Sequence, residues 1–348
     1  MDISYKFKII GIVTFFVLLM IDIEAVSNSK KEKEINLQIE CSITEDFSSK
    51  KETLPLGKKK KEAIKYFNKG GDYADKGEYD SAITYTQKAI ELNPNDENAF
   101  YNMGLFYYRK GEYDKAITYC QKAIELNFDF VDVYICMGLA FAKKGEYDIA
   151  ITYYQKAIEL NPTDACIYYN LGGVYYDKGE YDKAITYYQK VIELNPNNAD
   201  VYYNLGSAYY DKEEYDEAIV FYQKAIELNP NDADTYISMG LAFNRKSEYE
   251  KAITYTQKAI ELNPNDNIVY NNMGFIYLGK GEYDKAVTYL QKAIELDSNM
   301  EEAHNNMGNA YLKKGNESEG VKYLKKAAQL GSELAKEELQ KRNISWEE

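Results

Sequence analysis

The chain has 348 residues, with 45% hydrophobic content, 42 basic and 56 acidic side chains and a formal net charge of −14. This composition indicates a folded protein, and the negative charge argues against sequence-independent binding of nucleic acid. The single histidine and the four cysteines show no CxxC or Cys/His ligand spacing, which argues against a zinc site. We therefore expect no metal and no other cofactor.

The first 27 residues differ from the rest of the chain. Lys6 and Lys8 precede an apolar run at positions 9–21, and small residues follow it. This order predicts a signal peptide over residues 1–27 and an exported protein, whether periplasmic, at the cell surface or secreted. The alternative is an uncleaved anchor that keeps the protein at a membrane. A helix of this run rises only about 20 Å, less than the roughly 30 Å of a bilayer core.

Residues 28–62 are polar, charged and without hydrophobic periodicity. Such a segment has too few apolar side chains to build a core, and it predicts a flexible linker. Its run of lysines from Lys58 to Lys61 fits a solvated segment better than a binding site for an anionic surface.

From Ala63 the sequence repeats every 34 residues without insertion or deletion, and a glycine occupies the eighth position of each block. A fixed period of this length predicts a solenoid of stacked units. The eight blocks are 63–96, 97–130, 131–164, 165–198, 199–232, 233–266, 267–300 and 301–334.

Each block contains two helical patterns. In the fifth block the first predicted helix runs from Asp200 to about Lys212 and the second from Glu214 to Asn229. Pro230 then ends the second helix, and the Asn and Asp residues that follow such prolines supply N-caps for the next first helix. Every block is therefore predicted to be a helix hairpin, and the fold class is all-α.

The small and large residues of the blocks carry a resemblance to a known family. An aromatic residue stands at the fourth position, glycine at the eighth, and alanine at the twentieth and twenty-seventh positions of most blocks. These blocks resemble tetratricopeptide repeats. The resemblance implies an α-solenoid, a right-handed superhelix of helix hairpins whose first helices line a concave groove. It also implies a non-catalytic adaptor with a protein or peptide partner.

The two ends of the array depart from this pattern. Lys69 replaces an apolar residue in the first block, and His304 replaces the aromatic residue of the last block. His304 is predicted to be a packing substitute without a chemical role. Residues 335–348 are predicted to form a C-terminal capping helix and tail.

The candidate binding site is a row of polar residues along the first helices. An amide offers donors and acceptors together, so asparagine at the sixth position can pair with the backbone of an extended peptide. The row resembles the asparagine rows with which other members of the family hold extended polypeptides. Tyrosines at the fifth and twelfth positions add contact area. The predicted site residues are Asn102, Asn170, Asn204, Asn272, Asn306, Tyr101, Tyr169, Tyr203, Tyr108, Tyr176 and Tyr210.

Two other interpretations of this row stay open. The asparagines are also tolerated on a solvated helix face, and the tyrosines also brace neighbouring helices. The carboxylate clamp of the family needs basic residues at the second, fifth and sixth positions. This chain has Asp132, Asp200 and Asp234 at the second position and tyrosine or isoleucine at the fifth. Acidic C-terminal tails are therefore poor candidates for the partner.

Cys136 and Cys166 lie at positions that face each other across neighbouring first helices. A disulfide between them is conceivable in an exported protein, but helix axes 8–10 Å apart favour two thiols. Cys120 is predicted to be buried.

Two functions remain. The first is an exported adaptor that binds an extended segment of another protein in its groove. The second is a structural spacer or a self-assembling solenoid. No nucleophile–base pair or phosphate-binding loop stands out, so we expect no enzymatic activity.

Overall fold

The computed structural model describes residues 57–126 and 130–347, which contain seventeen α-helices and no strand. These residues divide after Pro196 into two compact units. We call residues 57–196 the first unit and residues 197–347 the second unit. The predicted signal peptide and nearly all of the predicted linker lie outside the described residues.

The first unit consists of four helix hairpins. In each hairpin a first helix is followed after a short turn by a second helix that packs against it. Its helices are α1 (Lys58–Ala74), α2 (Tyr79–Leu92), α3 (Glu97–Arg109), α4 (Tyr113–Glu125), α5 (Val131–Lys143), α6 (Tyr147–Leu160), α7 (Ala165–Asp177) and α8 (Tyr181–Leu194).

The second unit has four further hairpins and one additional helix. Its helices are α9 (Ala199–Asp211), α10 (Tyr215–Leu228), α11 (Ala233–Arg245), α12 (Tyr249–Leu262), α13 (Asn267–Lys280), α14 (Tyr283–Leu296), α15 (Glu301–Lys313), α16 (Glu317–Leu330) and α17 (Glu333–Lys341). Helices α9 and α10 begin and end within one residue of the predicted bounds, so the prediction of a helix hairpin in the fifth block is confirmed.

Aspartate and asparagine side chains begin several of the first helices. The Asp164 carboxylate accepts a hydrogen bond from the Cys166 backbone N–H at 2.9 Å, and the Asp266 carboxylate accepts one from the Ile268 N–H at 2.8 Å. These bonds pair N–H groups that have no partner inside the helix. The predicted role of the Asn and Asp residues after each proline as N-caps is confirmed at these helices.

The turn between the two helices of a hairpin contains one residue with a left-handed backbone. In the first unit this residue is always glycine, as at Gly179 with φ of 74°. In the second unit Glu213 and Ser247 occupy the same place with φ of 64° and 59°. A side chain makes this conformation less favourable, so these two turns are strained relative to the glycine turns.

A stack of three rings fills the space between the two helices of a hairpin. Tyr168 and Tyr175 of α7 both stack on Tyr187 of α8, with ring centroids 6.4 and 5.3 Å apart. In the last hairpin His304 takes the first place of this stack and lies 5.9 Å from the ring of Tyr323. This contact confirms that His304 is a packing substitute.

The glycine of the eighth position allows the closest approach within the hairpin. A Cβ atom on Gly172 would lie 2.7 Å from the ring of Tyr188, which is 2% exposed. Real Cβ atoms do not come this close to a ring, because interiors are close-packed and offer no free space. The repeated glycine is therefore a packing requirement.

Different side chains cover the two ends of the array. At the start, the Lys69 Nζ atom lies 4.2 Å above the centre of the Tyr85 ring. At the end, Ala335 and Leu339 of α17 are fully buried against Leu324, and Trp346 packs against the same cluster. The last hairpin thus has a cover of its own, whose outer surface is charged.

Candidate functional site

The structure buries most of the predicted asparagine row. Asn102 is 4% exposed, and Asn170, Asn272 and Asn306 are each 1% exposed, whereas Asn204 is half-buried. All five lie on the first helices of their hairpins. The idea that these asparagines only decorate a solvated surface does not fit their burial.

The predicted tyrosines pack on the second helix of their own hairpin. Tyr169 lies 6.0 Å from the ring of Tyr188, and Tyr203 lies 5.8 Å from Tyr222. At the twelfth position, Tyr176 lies 5.4 Å from Tyr181. Equivalent contacts or burial hold for Tyr101, Tyr108 and Tyr210. These tyrosines therefore brace helices, and their role in binding stays a prediction.

Polar contacts join successive first helices in the second unit. The Asn306 Nδ2 group donates to Asn271 Oδ1 at 2.9 Å, and the Arg245 Nε group donates to the Tyr210 hydroxyl at 3.2 Å. The Ser238 hydroxyl lies 3.5 Å from the hydroxyl of Tyr203. Each pair joins residues 35 positions apart. In two pairs the sixth position of one hairpin meets the fifth position of the hairpin before it, and in the Arg245–Tyr210 pair the thirteenth position meets the twelfth.

Several buried amide groups in the same row have no such contact. Among the described residues, neither Nδ2 nor Oδ1 of Asn170 has a hydrogen-bond partner, and the same is true of Asn272 Nδ2 and Asn306 Oδ1. The residue 35 positions before Asn170 is the buried Ile135, which offers no side-chain partner. A buried polar group without a partner costs about 1–3 kcal/mol, which is large for positions that the fold could fill with apolar side chains.

The second position of several first helices carries an acidic residue that the predicted site did not include. These residues are Asp132, Asp200, Asp234 and Glu302, and all four are half-buried. Burial and the nearby charge of Asp164 raise the pKa of Asp132 to about 6. These residues could be found in the sequence, because an acidic residue recurs at the second position of several blocks.

The cysteines of the array are thiols. Cys120, Cys136 and Cys166 form no disulfide with one another in the described part of the chain. Cys120 is fully buried, as predicted, and Cys136 is fully buried as well.

The described residues offer little for other kinds of site. In residues 57–126 and 130–347, no group of His, Cys, Asp and Glu side chains is arranged to hold a metal ion. No helix in these residues combines the length and the apolar character that crossing a membrane requires. The predicted N-terminal signal or anchor is outside the described residues.

Family models match the chain over the repeats. Residues 97–130 match a model of the tetratricopeptide repeat, and residues 70–111 match a second repeat model. Residues 130–344, more than half of the chain, match the model of the Cilia and flagella-associated protein 70 C-terminal domain. The chain belongs to the tetratricopeptide repeat family. No curated protein matches its sequence.

Solved structures of tetratricopeptide repeat proteins have the same fold. The C-terminal part of a repeat protein from Cytophaga hutchinsonii superposes with a TM-score of 0.57 and 24% identity, covering 69% of this chain and 99% of that chain. A repeat protein from Parabacteroides merdae gives 0.53 and 18%, covering 80% and 98%. The APC/C hetero-tetramer Cut9–Hcn1 gives 0.55 and 19%, covering 77% of this chain.

The present chain spans 53% of the matched chain of Cut9–Hcn1. At these identities the likeness shows the fold alone. The fold is that of protein–protein interaction scaffolds, and tetratricopeptide repeat proteins are generally non-catalytic adaptors.

Proposed function

We propose that this tetratricopeptide repeat protein is a non-catalytic adaptor that binds an extended segment of another protein along its first helices. The observation that supports this proposal most is the set of buried amide groups without a partner at Asn170, Asn272 and Asn306. A fold that needed only packing would be more stable with apolar side chains there.

The chemistry of the amide fits the backbone of an extended peptide. Such a backbone presents an N–H and a C=O for every residue, with a rise of about 3.3 Å, and an asparagine side chain can donate to one and accept from the other. Each bond contributes about 0.5–1.5 kcal/mol, so useful affinity needs several of them. Because these amides are buried, the side chains that cover them must move before a peptide can reach them.

The proposal also includes export. The signal-like order of residues 1–27 supports delivery outside the cytoplasm, with retention as a membrane anchor as the alternative. Mass spectrometry of the N-terminal peptide of the protein from its source cell decides between the two. A mature N-terminus near residue 28 supports cleavage, and a peptide that includes residues 9–21 contradicts it.

The test of binding begins with peptides selected from a display library by the native protein. We expect these peptides to bind a variant more weakly when its position-six amides are removed, and circular dichroism should show that its helices persist. The variant carries Asn102→Ala, Asn170→Ala, Asn204→Ala and Asn272→Ala.

The matched control changes the exposed face of the second helices. Val220 occupies a position where other hairpins have threonine, so valine is tolerated there. The control carries Thr118→Val, Thr152→Val, Thr186→Val and Thr254→Val.

The control variant should bind as the native protein does. Equal affinity of the native protein and the alanine variant would contradict binding by the asparagines. Selection of no peptide, together with self-association in sedimentation experiments, would favour the structural spacer.

A further inference from the structure

Three half-buried charges of the first unit have no ion pair. Asp132 lies in the first turn of α5, Lys143 lies at the end of α5, and Arg109 lies at the end of α3. No ion pair joins any of the three to another described residue. By contrast, Lys110, the neighbour of Arg109, pairs with Asp80 at 2.7 Å.

Asp132 and Lys143 lie on one face of α5. They are separated by three turns of helix, so their side chains project from the same side about 16 Å apart. Cys136 and Leu139 share this face between them and are 0% and 1% exposed. The face therefore has an acidic end, a closed middle and a basic end.

The neighbouring first helices extend the two charged ends. Arg109 ends α3, and Asp164 begins α7, where its carboxylate accepts a hydrogen bond from the Cys166 N–H at 2.9 Å. Both helices contact α5. We call Asp132 and Asp164 the acidic edge, and Arg109 and Lys143 the basic edge. Burial and the charge of Asp164 raise the pKa of Asp132, so a cation at the acidic edge would relieve an unfavourable interaction.

A buried amide on α7 is turned toward α5. Asn170 is 1% exposed, and within the described residues neither atom of its amide has a partner. In the second unit the sixth position of a first helix faces the fifth position of the one before, as Asn306 faces Asn271. The same register puts Asn170 opposite Ile135, one turn along α5 from Asp132. The amide thus offers a donor and an acceptor to a peptide backbone beside the acidic edge.

These features fit an extended segment with alternating charges. Successive side chains of an extended chain point to opposite sides, and residues two apart lie about 6.6 Å from each other. A segment between an acidic and a basic edge therefore needs a basic residue at every second position and an acidic residue between them. Residues 31–34 of this chain read Lys-Glu-Lys-Glu, and no other four residues of the sequence alternate in this way.

The chain is long enough for this segment to reach α5. Residues 35–56 connect Glu34 to Gly57, where α1 begins. A flexible chain of this length extends to about 75 Å and spans about 26 Å on average. Two steps between packed first helices, from α1 to α5, cover about 20 Å. Because the average span matches this distance, the effective concentration of the segment at α5 is high.

We propose that residues 31–34 dock across α5 of the same chain and compete there with an external segment. The two lysines of the segment face the acidic edge, and its two glutamates face the basic edge. The competition rests on the proposed function, whereas the docking does not. Pairs between partly exposed charges are weak and screened by salt, so a partner that also bonds the buried amides can displace the segment.

Limited trypsin digestion of the full chain tests the docking. Lys31, Lys33 and Lys51 are each followed by glutamate, so trypsin meets similar sequences at all three. In the variant with Asp132→Asn and Lys143→Gln, cleavage after Lys31 and Lys33 should be several-fold faster than in the native chain, and cleavage after Lys51 should be unchanged. High salt should raise the native rates to those of the variant.

The matched control removes an ion pair of α6. Lys156 pairs with Glu159 at 3.0 Å, and both side chains are largely exposed. The control with Lys156→Gln and Glu159→Gln changes one charge of each sign, as the test variant does. It should be cleaved at native rates, and circular dichroism should show native helix content in both variants.

A carbodiimide, which joins a carboxylate to an amine in contact with it, identifies the docked residues. In the native chain we expect a link from Glu32 or Glu34 to Lys143. When isotope-labelled and unlabelled chains are mixed, each linked peptide should be wholly labelled or wholly unlabelled. The variant with Glu32→Lys and Lys33→Glu keeps the composition and net charge but not the alternation. It should give several-fold less of this link and bind a selected peptide several-fold more tightly than the native chain.

Three outcomes would overturn parts of this proposal. Equal trypsin cleavage of the native chain and the α5 variant would exclude the docking, and links of mixed isotope content would assign residues 31–34 to a second copy. Equal peptide affinity of the native chain and the variant without alternation would exclude the competition. The digestion and the cross-linking need no peptide, so their result is separate from that of the asparagine variant.

Discussion

The first and second units share their hairpin packing but differ in their turns and in the contacts between first helices. In the second unit, Asn306 donates to Asn271 across two first helices. In the first unit, the amide of Asn170 stands at the same repeat position with no partner among the described residues. The hairpin turns of the first unit contain glycine, whereas Glu213 and Ser247 stand in two turns of the second.

This difference separates two kinds of contact, those within one hairpin and those between neighbouring hairpins. The glycine, the alanines and the ring stack act within each hairpin, so they recur in most blocks. A polar contact between hairpins needs suitable residues in two neighbouring blocks, so a change in either block removes it. The stability that these polar contacts contribute therefore depends on pairs of residues that the repeat pattern does not specify.

The largest expected effect concerns the packing within a hairpin, which the two units share. Gly172→Val in the first unit and Gly206→Val in the second should each destabilise the protein by about 3 kcal/mol, because a Cβ at either glycine lies 2.7 Å from a buried tyrosine ring. Urea unfolding followed by circular dichroism measures the loss, and hydrogen exchange locates it. The exposed Thr186→Val change serves as the control. A large loss in only one unit would show that their hairpins differ.

The second test replaces one asparagine in each unit, and we expect the two changes in stability to have opposite signs. Asn170→Leu replaces an amide without a partner and should stabilise the first unit by about 1–3 kcal/mol. Asn306→Leu leaves the Asn271 carbonyl buried without its donor and should destabilise the second unit by a similar amount. Hydrogen exchange of each unit measures the change. Stability changes of the same sign in both variants would show that the two asparagines do not differ in this way.

The turns provide a reciprocal pair of variants. Ser247→Gly should stabilise the second unit by about 0.5–1 kcal/mol, because glycine adopts the positive φ of 59° without steric cost. Gly179→Ser should destabilise the first unit by a similar amount. The two changes are compared by their urea midpoints. An unchanged urea midpoint in both variants would mean that a side chain at this position of the turn costs no stability.

The smallest effect is a pH dependence confined to the first unit. The folded-state pKa of Asp132 is about 6, above the value of about 4 for an unfolded chain. The folded state therefore binds the proton more tightly, and stability should fall as the pH rises from about 4 to about 6.

Because Asp132 is partly exposed, solvent screening limits this fall to about 1 kcal/mol or less. Asp132→Asn should remove it while leaving the rest of the pH profile unchanged. Unfolding midpoints measured between these pH values provide the test. An identical slope of stability against pH in the native protein and in the Asp132→Asn variant would assign the pH dependence to other groups.

Most of the fold could be predicted from the sequence. The glycines, prolines and cap residues act over a few positions, so their spacing predicted the helices of the fifth block to within one residue. The stacking of His304 on Tyr323 was predictable for the same reason, because it occurs within one hairpin.

The candidate site was less predictable. The helical period places Asn170 and Tyr169 on one face, but it does not say how closely the next helix approaches that face. Their burial depends on this approach, and the hydrogen bonds depend on a residue 35 positions away.

Binding of a partner along the first helices is tested most directly by hydrogen exchange of the native protein with and without a selected peptide. We expect added protection in first helices such as α7 and α13, together with the loss of this protection in the variant without the position-six asparagines. Protection confined to second helices such as α8 and α14, or protection that persists in the variant, would contradict it.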